Sequence, residues 1–241
     1  MGDEKPLKED KSNGTTKRVG AHMMDQMTAY LRPTLSIDCD NAVIREKAQE
    51  LTKGQQEVAD RARSLFYFVR DGIRYNLYVP SNKLEYYRAS RILEKREGFC
   101  IQKAVLLAAL ARAMGIPARL HLAAIRNHLA PAKLRELMRG NVFPTHGYDE
   151  LYIEGHWIKA APTFDLKMCQ DNRFTPVEFD GRHDAVLPAF NPDGKPHIEY
   201  VDDLGYYEDL PFENIIAWRL EALGPDFFER MRQAVAARKD A

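Results

Sequence analysis

The chain is poor in cysteine: three among 241 residues, Cys39, Cys100 and Cys169. They are too few and too scattered for a disulfide framework or a zinc site built on paired ligands. Excess charge is missing too, with 35 basic residues against 35 acidic ones. A nucleic-acid-binding surface normally shows a basic excess or stripe, so that class of partner is not expected. No apolar run approaches the roughly 20 residues that span a bilayer. Met1 to Gly20 is charged and polar, without the apolar segment of a secretory signal. No Gly-x-Gly-x-x-Gly or phosphate loop occurs, and neither His121/His128 nor His146/His156 has metal-ligand spacing. What remains is a cytoplasmic globular protein with no cofactor, no metal, and neither a nucleic-acid nor a membrane partner.

What is present is 45% hydrophobic residue content over a length that suits one elaborated domain. Residues 1–25, rich in Lys, Glu, Ser and Gly, read as a disordered tail. Residues 26–241 read as a single domain, with a core at about 55–165 and a C-terminal extension over 166–241. Asp40-Asn41 caps a helix reaching about Thr52, and Val58, Ala62, Leu65, Phe66 and Val69 mark a second helix over 55–71. A short helix over 84–94 leads into Gly98-Phe99-Cys100 and a helix apolar on most sides, closed by Gly115 and Pro117. The period then changes. A strand over 118–125, a helix over 131–139, and strands over 146–153 and 156–160 joined by Glu154-Gly155 follow. Beyond Pro162 the chain is loop-rich, with a strand near 197–201 and a helical pair over 212–223 and 226–237. The fold class is α+β, helices packed on an antiparallel sheet.

Cys100 follows a glycine turn and begins a helix, where free backbone N–H groups and the helix dipole favour an anion. That setting is expected to depress the thiol pKa and supply a thiolate nucleophile, whereas an ordinary buried cysteine packs as a small hydrophobe. A nucleophile of this kind needs a base. His146, at the predicted start of a strand, is the best placed, and His121, mid-strand, is its competitor. The remaining histidines fall in the tail, in loops, at strand edges or at turns. Arg112 and Arg119 read as solvated or ion-paired. Gln102 faces either a cleft or nothing in particular, and 199–207 reads as a solvated loop or one wall of a site. Cys39 and Cys169 lack any comparable context.

Gly98-Phe99-Cys100, the apolar helix after it, and Arg112-Ala113-Met114-Gly115-Ile116-Pro117-Ala118-Arg119 resemble the core of the transglutaminase-like superfamily. That family, of the bacterial type here, has a papain-like fold. It shows a nucleophilic cysteine at the helix start, a His-x-aromatic strand, a glycine turn, a Trp strand and a terminal Asp-Pro-Thr. The chain offers His146-Gly147-Tyr148, Gly155, Trp157 and Pro162-Thr163 in that order, over roughly Leu65 to Asp165. The resemblance implies cysteine-dependent acyl chemistry on a peptide or protein substrate with a reactive amide. Hydrolysis is favoured over transfer to an amine, and the chemistry passes through a thioester. One position departs from the pattern: Ala161 stands where the family has its aspartate, so Asp165 becomes the candidate third member beside Cys100 and His146. A domain that lost its orienting aspartate is also compatible with a peptide- or protein-binding module of weak or no activity.

Overall fold

The structure, a computed structural model, describes residues 27–239. The tail expected over 1–25, and His22 with it, lies outside the described residues. Helix α1 (Ala42–Leu51) opens on Asn41, whose side chain accepts the Val43 N–H at 3.0 Å. Helix α2 (Val58–Gly72) buries Ala59, Ala62, Leu65, Phe66 and Val69, the stripe legible in its spacing. After a 3-10 turn at Leu84–Tyr87 comes helix α3 (Ala89–Lys95). All three pack around helix α4 (Cys100–Ala113), which is buried from Cys100 through Arg112.

A helix enclosed on all sides must satisfy its polar side chains internally. Lys103 Nζ donates to the carbonyls of Arg70 (2.9 Å) and Ile73 (2.8 Å), at the end of α2. Arg112 is neither solvated nor ion-paired, contrary to expectation. It is buried and donates to the carbonyls of Ala118, Arg32 and Glu208, tying the helix end to the sheet and to two loops.

The sheet holds β3 (Ala118–Asn127), β4 (Val142–Ile153), β5 (His156–Ala160) and β6 (Ile198–Tyr207), antiparallel throughout in the order β5-β4-β3-β6. Glu154 and Gly155 both take positive φ, 49° and 90°, which is the two-residue turn that matches strand twist. Three boundaries differ from the sequence reading. Strand β4 starts at Val142, so His146 lies inside it and not at its start. Residues 198–207 form a full strand, not a loop beyond 201. The stretch after Pro162 contains helix α6 (Leu166–Asn172).

A two-residue parallel pair, β1 (Arg74–Tyr75) with β2 (Glu97–Gly98), delivers the chain to Cys100. Gly98 therefore sits in extended backbone and not in a turn. Its smallness serves close packing, since a Cβ there would lie 3.1 Å from Gln102 Cβ. Helices α5 (Ala132–Leu137), α7 (Phe212–Leu223) and α8 (Phe227–Lys239) cluster at one end of the sheet around Leu137, Met138, Leu223, Phe227 and Met231. Among the described residues, no helix is long and apolar enough to cross a membrane.

Candidate active site

Cys100 is the first residue of α4, following Phe99 in extended conformation. Gln102 holds this start in place from within. Its Oε1 accepts the Phe99 N–H at 3.3 Å, and its Nε2 donates to the carbonyls of Pro80 and Tyr86. The side chain therefore serves the helix cap and is not free to serve a ligand. Strand β4 crosses directly over the same helix start. The crossing is possible because residue 147 is glycine: a Cβ there would sit 2.9 Å from Ile101 Cγ1 and 3.0 Å from Ile101 Cα. This close approach brings His146 to the cavity that Cys100 lines and sets the Gly147 N–H on the thiol.

That cavity encloses about 50 Å³ and is walled mainly by apolar side chains, with Cys100, His146, Thr145 and Arg219 as its chemistry-bearing members. Cys100 is 8% exposed and His146 1%. Enclosure reverses one expectation. Burial raises the Cys100 thiol above its ordinary value, outweighing the Gly147 N–H, the Arg219 charge and the N–H groups of Ile101 and Cys100, all of which favour the thiolate. Burial also pushes His146 down to about 3. Both partners therefore rest neutral in the closed cavity.

Tyr200, from β6, places its hydroxyl oxygen 3.5 Å from His146 Nε2, at the long end of the hydrogen-bond range. The same oxygen accepts the Leu187 N–H at 3.3 Å. Fully buried Ala161 packs with Ala123 and Tyr148, and Tyr200 lies against that group. The phenol thus occupies the neighbourhood of the residue that stands in the aspartate's place. Burial raises the Tyr200 pKa, so this phenol is neutral.

Asp165 is engaged elsewhere. One carboxylate oxygen caps α6 by accepting the Met168 N–H at 2.8 Å, and the other accepts the Tyr75 N–H at 2.8 Å. Among the described residues no hydrogen bond joins Asp165 to His146; it braces Tyr75, a wall of the cavity. His121 is held at both ring nitrogens, by Glu150 and by Asp203 at 2.8 Å each, and stacks on Tyr148 at 4.6 Å. Burial opposes its charge, but the two carboxylates prevail and raise its pKa. Glu150 also accepts from Arg119, which stacks over Trp157 and Tyr206.

Tyr200 entered the sequence reading only within the 199–207 segment, offered as a solvated loop or one wall of a site, and Arg219 escaped it. Arg219 sits on the Ile215–Arg219–Leu223 face of α7, all three buried. A lone arginine on an otherwise apolar i, i+4, i+8 face was the available signal. Among the described residues no group of three or more metal-ligating side chains converges, and Cys39, Cys100 and Cys169 are free thiols.

Residues 45–162 match the model of the transglutaminase-like superfamily. No curated protein matches the chain significantly. The fold is similar to the solved structure of a "Putative Cysteine Protease from Cytophaga hutchinsonii", with a TM-score of 0.51 and 17% identity over 79% of this chain. The chain spans half the length of that protein. The periplasmic domain of TgpA from Pseudomonas aeruginosa is 26% identical over 51% of this chain and 42% of its own, with a TM-score of 0.38.

Proposed function

Because residues 45–162 belong to the transglutaminase-like superfamily, we propose that the protein is a cysteine enzyme that cleaves an amide through a thioester. The observation that carries the reading is the shared cavity of Cys100 and His146, with the Tyr200 hydroxyl at His146 Nε2. The tautomer that makes His146 a base has Nε2–H donating to Tyr200, leaving Nδ1 to take the thiol proton. The thiolate sulfur attacks the amide carbonyl carbon, and the negative oxygen of the tetrahedral adduct is met by the Cys100 N–H. His146 returns the proton to the leaving amine as the C–N bond breaks, and the acyl group stays on sulfur. Water, deprotonated by the same imidazole, then releases the acid and restores the thiol.

A cavity of about 50 Å³ holds a few water molecules. Water is the acyl acceptor in this reading, so hydrolysis is favoured over transfer. The substrate is a peptide or protein amide, and the three unpaired thiols suit a reducing, cytoplasmic setting. Ala161 favours a second reading, a peptide-binding domain whose catalysis is lost.

Incubation with 4-nitrophenyl acetate separates the two readings. An enzyme gives a burst of nitrophenol and an acetyl adduct on Cys100, absent in Cys100→Ser and slowed in His146→Ala. No adduct, or one formed equally fast without His146, rejects catalysis in favour of binding. Adding a primary amine tells hydrolysis from transfer by whether the acyl group appears on the amine.

A further inference from the structure

Arg219 is a buried cation, 6% exposed, that pairs with no carboxylate among the described residues. Its Nε donates to Thr145 Oγ1 at 2.9 Å and its Nη1 to Tyr87 Oη at 3.1 Å, both neutral oxygens. The ring of Phe99 lies 5.2 Å from the guanidinium carbon. Those two bonds use two of the five N–H donors an arginine carries, and no acceptor among the described residues takes the other three. An isolated charge costs several kcal/mol to bury, and a guanidinium cannot shed its proton to escape that cost. A buried arginine is therefore held by an anion or by a full set of acceptors, as Arg112 is by three carbonyl oxygens. Arg219 lines the Cys100 cavity, whose other walls are mostly apolar, and no anionic partner for it stands among the described residues.

We infer that Arg219 is a carboxylate-binding subsite, so that the substrate carries a carboxylate close to the amide that is cleaved. The inference rests on the thioester reading of Cys100 and adds the chemistry of what enters. The geometry suits it: Thr145 and Tyr87 fix the plane of the guanidinium, and one N–H of Nη1 and both of Nη2 remain for the oxygens of a carboxylate. Thr145 is also the residue before His146, so the anchor and the base are placed by one strand. A competing role is that Arg219 serves the Cys100 thiolate alone, since its charge favours that form.

Two alkylating reagents separate these roles. Iodoacetate carries a carboxylate and iodoacetamide does not, while both report the same sulfur. The ratio of their rates at Cys100 cancels any change in thiol reactivity. In the full chain the iodoacetate-to-iodoacetamide ratio should exceed that of the same thiol in the urea-unfolded chain by about tenfold, the worth of one charge-assisted contact. Arg219→Met should abolish the excess, and Arg219→Lys should keep only part of it. The wild-type comparison needs no variant to fold. An unexceptional wild-type ratio, or rates that fall together in Arg219→Met with the ratio intact, overturns the subsite and leaves Arg219 to the thiolate. Failure of the underlying thioester reading shows separately, in iodoacetamide alone, as a Cys100 no more reactive than an ordinary buried thiol.

Protection assays identify the source of the carboxylate. Protection of Cys100 by N-acetylglycine points to a chain end, and protection by the α-amide of N-acetylaspartate points to a side chain. Protection by neither counts against the subsite.

Discussion

The Tyr200 hydroxyl lies 3.5 Å from His146 Nε2, beside the alanine that stands where the superfamily pattern has its aspartate. A neutral phenol can hold an imidazole in one tautomer, but it offers no charge to balance an imidazolium. Burial leaves His146 at about 3 for the same reason: no carboxylate opposes the loss of solvent. Tyr200→Phe keeps the ring packing and removes the oxygen. Its expected effect is a fall of about tenfold in Cys100 acylation, the worth of one hydrogen bond in an enclosed site, with the melting temperature little changed. Acylation rates and a thermal melt check both halves. An unchanged rate would mean that the phenol does not position His146.

Much of this arrangement was legible in the residues. The all-apolar helix after Cys100, the Glu154-Gly155 hairpin and the order of strands around it follow from periodicity and turn chemistry, which are local properties. What was illegible depends on approach between distant segments. Asp165 sits four residues from Ala161 and invites the role of a displaced aspartate, yet its oxygens are taken by Met168 and Tyr75. Gly98 looks like a turn and is a strand residue, because its partner is Arg74-Tyr75, more than 20 residues away. The depressed thiol implied by a helix start was reversed by burial, a property of the whole fold that no local pattern carries.

Asp165 should behave as a structural residue. Asp165→Ala loses both the α6 cap and the Tyr75 tie, at about 2 kcal/mol. Asp165→Asn keeps the cap and loses the tie, at about 1 kcal/mol. Chemical denaturation measures these costs, and the rate of Cys100 acylation should change by less than tenfold in either. A fall of about a thousandfold in both variants would place Asp165 in the catalytic group after all.

Gly147 sets the distance between the histidine strand and the cysteine helix. Gly147→Ala inserts a methyl group 2.9 Å from Ile101 Cγ1 and 3.0 Å from its Cα, a backbone atom that cannot rotate away. The strand must lift, at a cost of about 1–3 kcal/mol. Because the lift also separates His146 and the Gly147 N–H from Cys100, acylation should fall more than stability does. Activity retained at wild-type level in a folded Gly147→Ala protein would contradict this placement.

Lys103 makes stability depend on pH in the neutral-to-alkaline range. Burial lowers it to about 7, against the attraction of Asp165 and Asp71. Its folded value lies below the unfolded one, so above pH 7 the unfolded chain holds the additional proton and stability rises with pH. The gain is at most about 1.4 kcal/mol per pH unit for one group. Below pH 7 both states are protonated and this contribution is flat. Denaturant melts at pH 7 and pH 9 should show the rise in the wild type and its absence in Lys103→Met, the latter destabilised overall by the two carbonyls it leaves unpaired.

The most direct measurement is the rate of iodoacetamide modification of Cys100 against pH, in the wild type and in His146→Ala. Between the titration of His146 at about 3 and that of the raised thiol, the pair shares a single proton. The fraction present as thiolate and imidazolium is then independent of pH. The pair's thiolate therefore gives the wild-type rate a floor that stays level toward acid pH, where the lone-thiol route dies away, while His146→Ala should keep falling about tenfold per pH unit. The same tenfold slope in both proteins would contradict the cysteine–histidine pair and leave Cys100 an ordinary buried thiol.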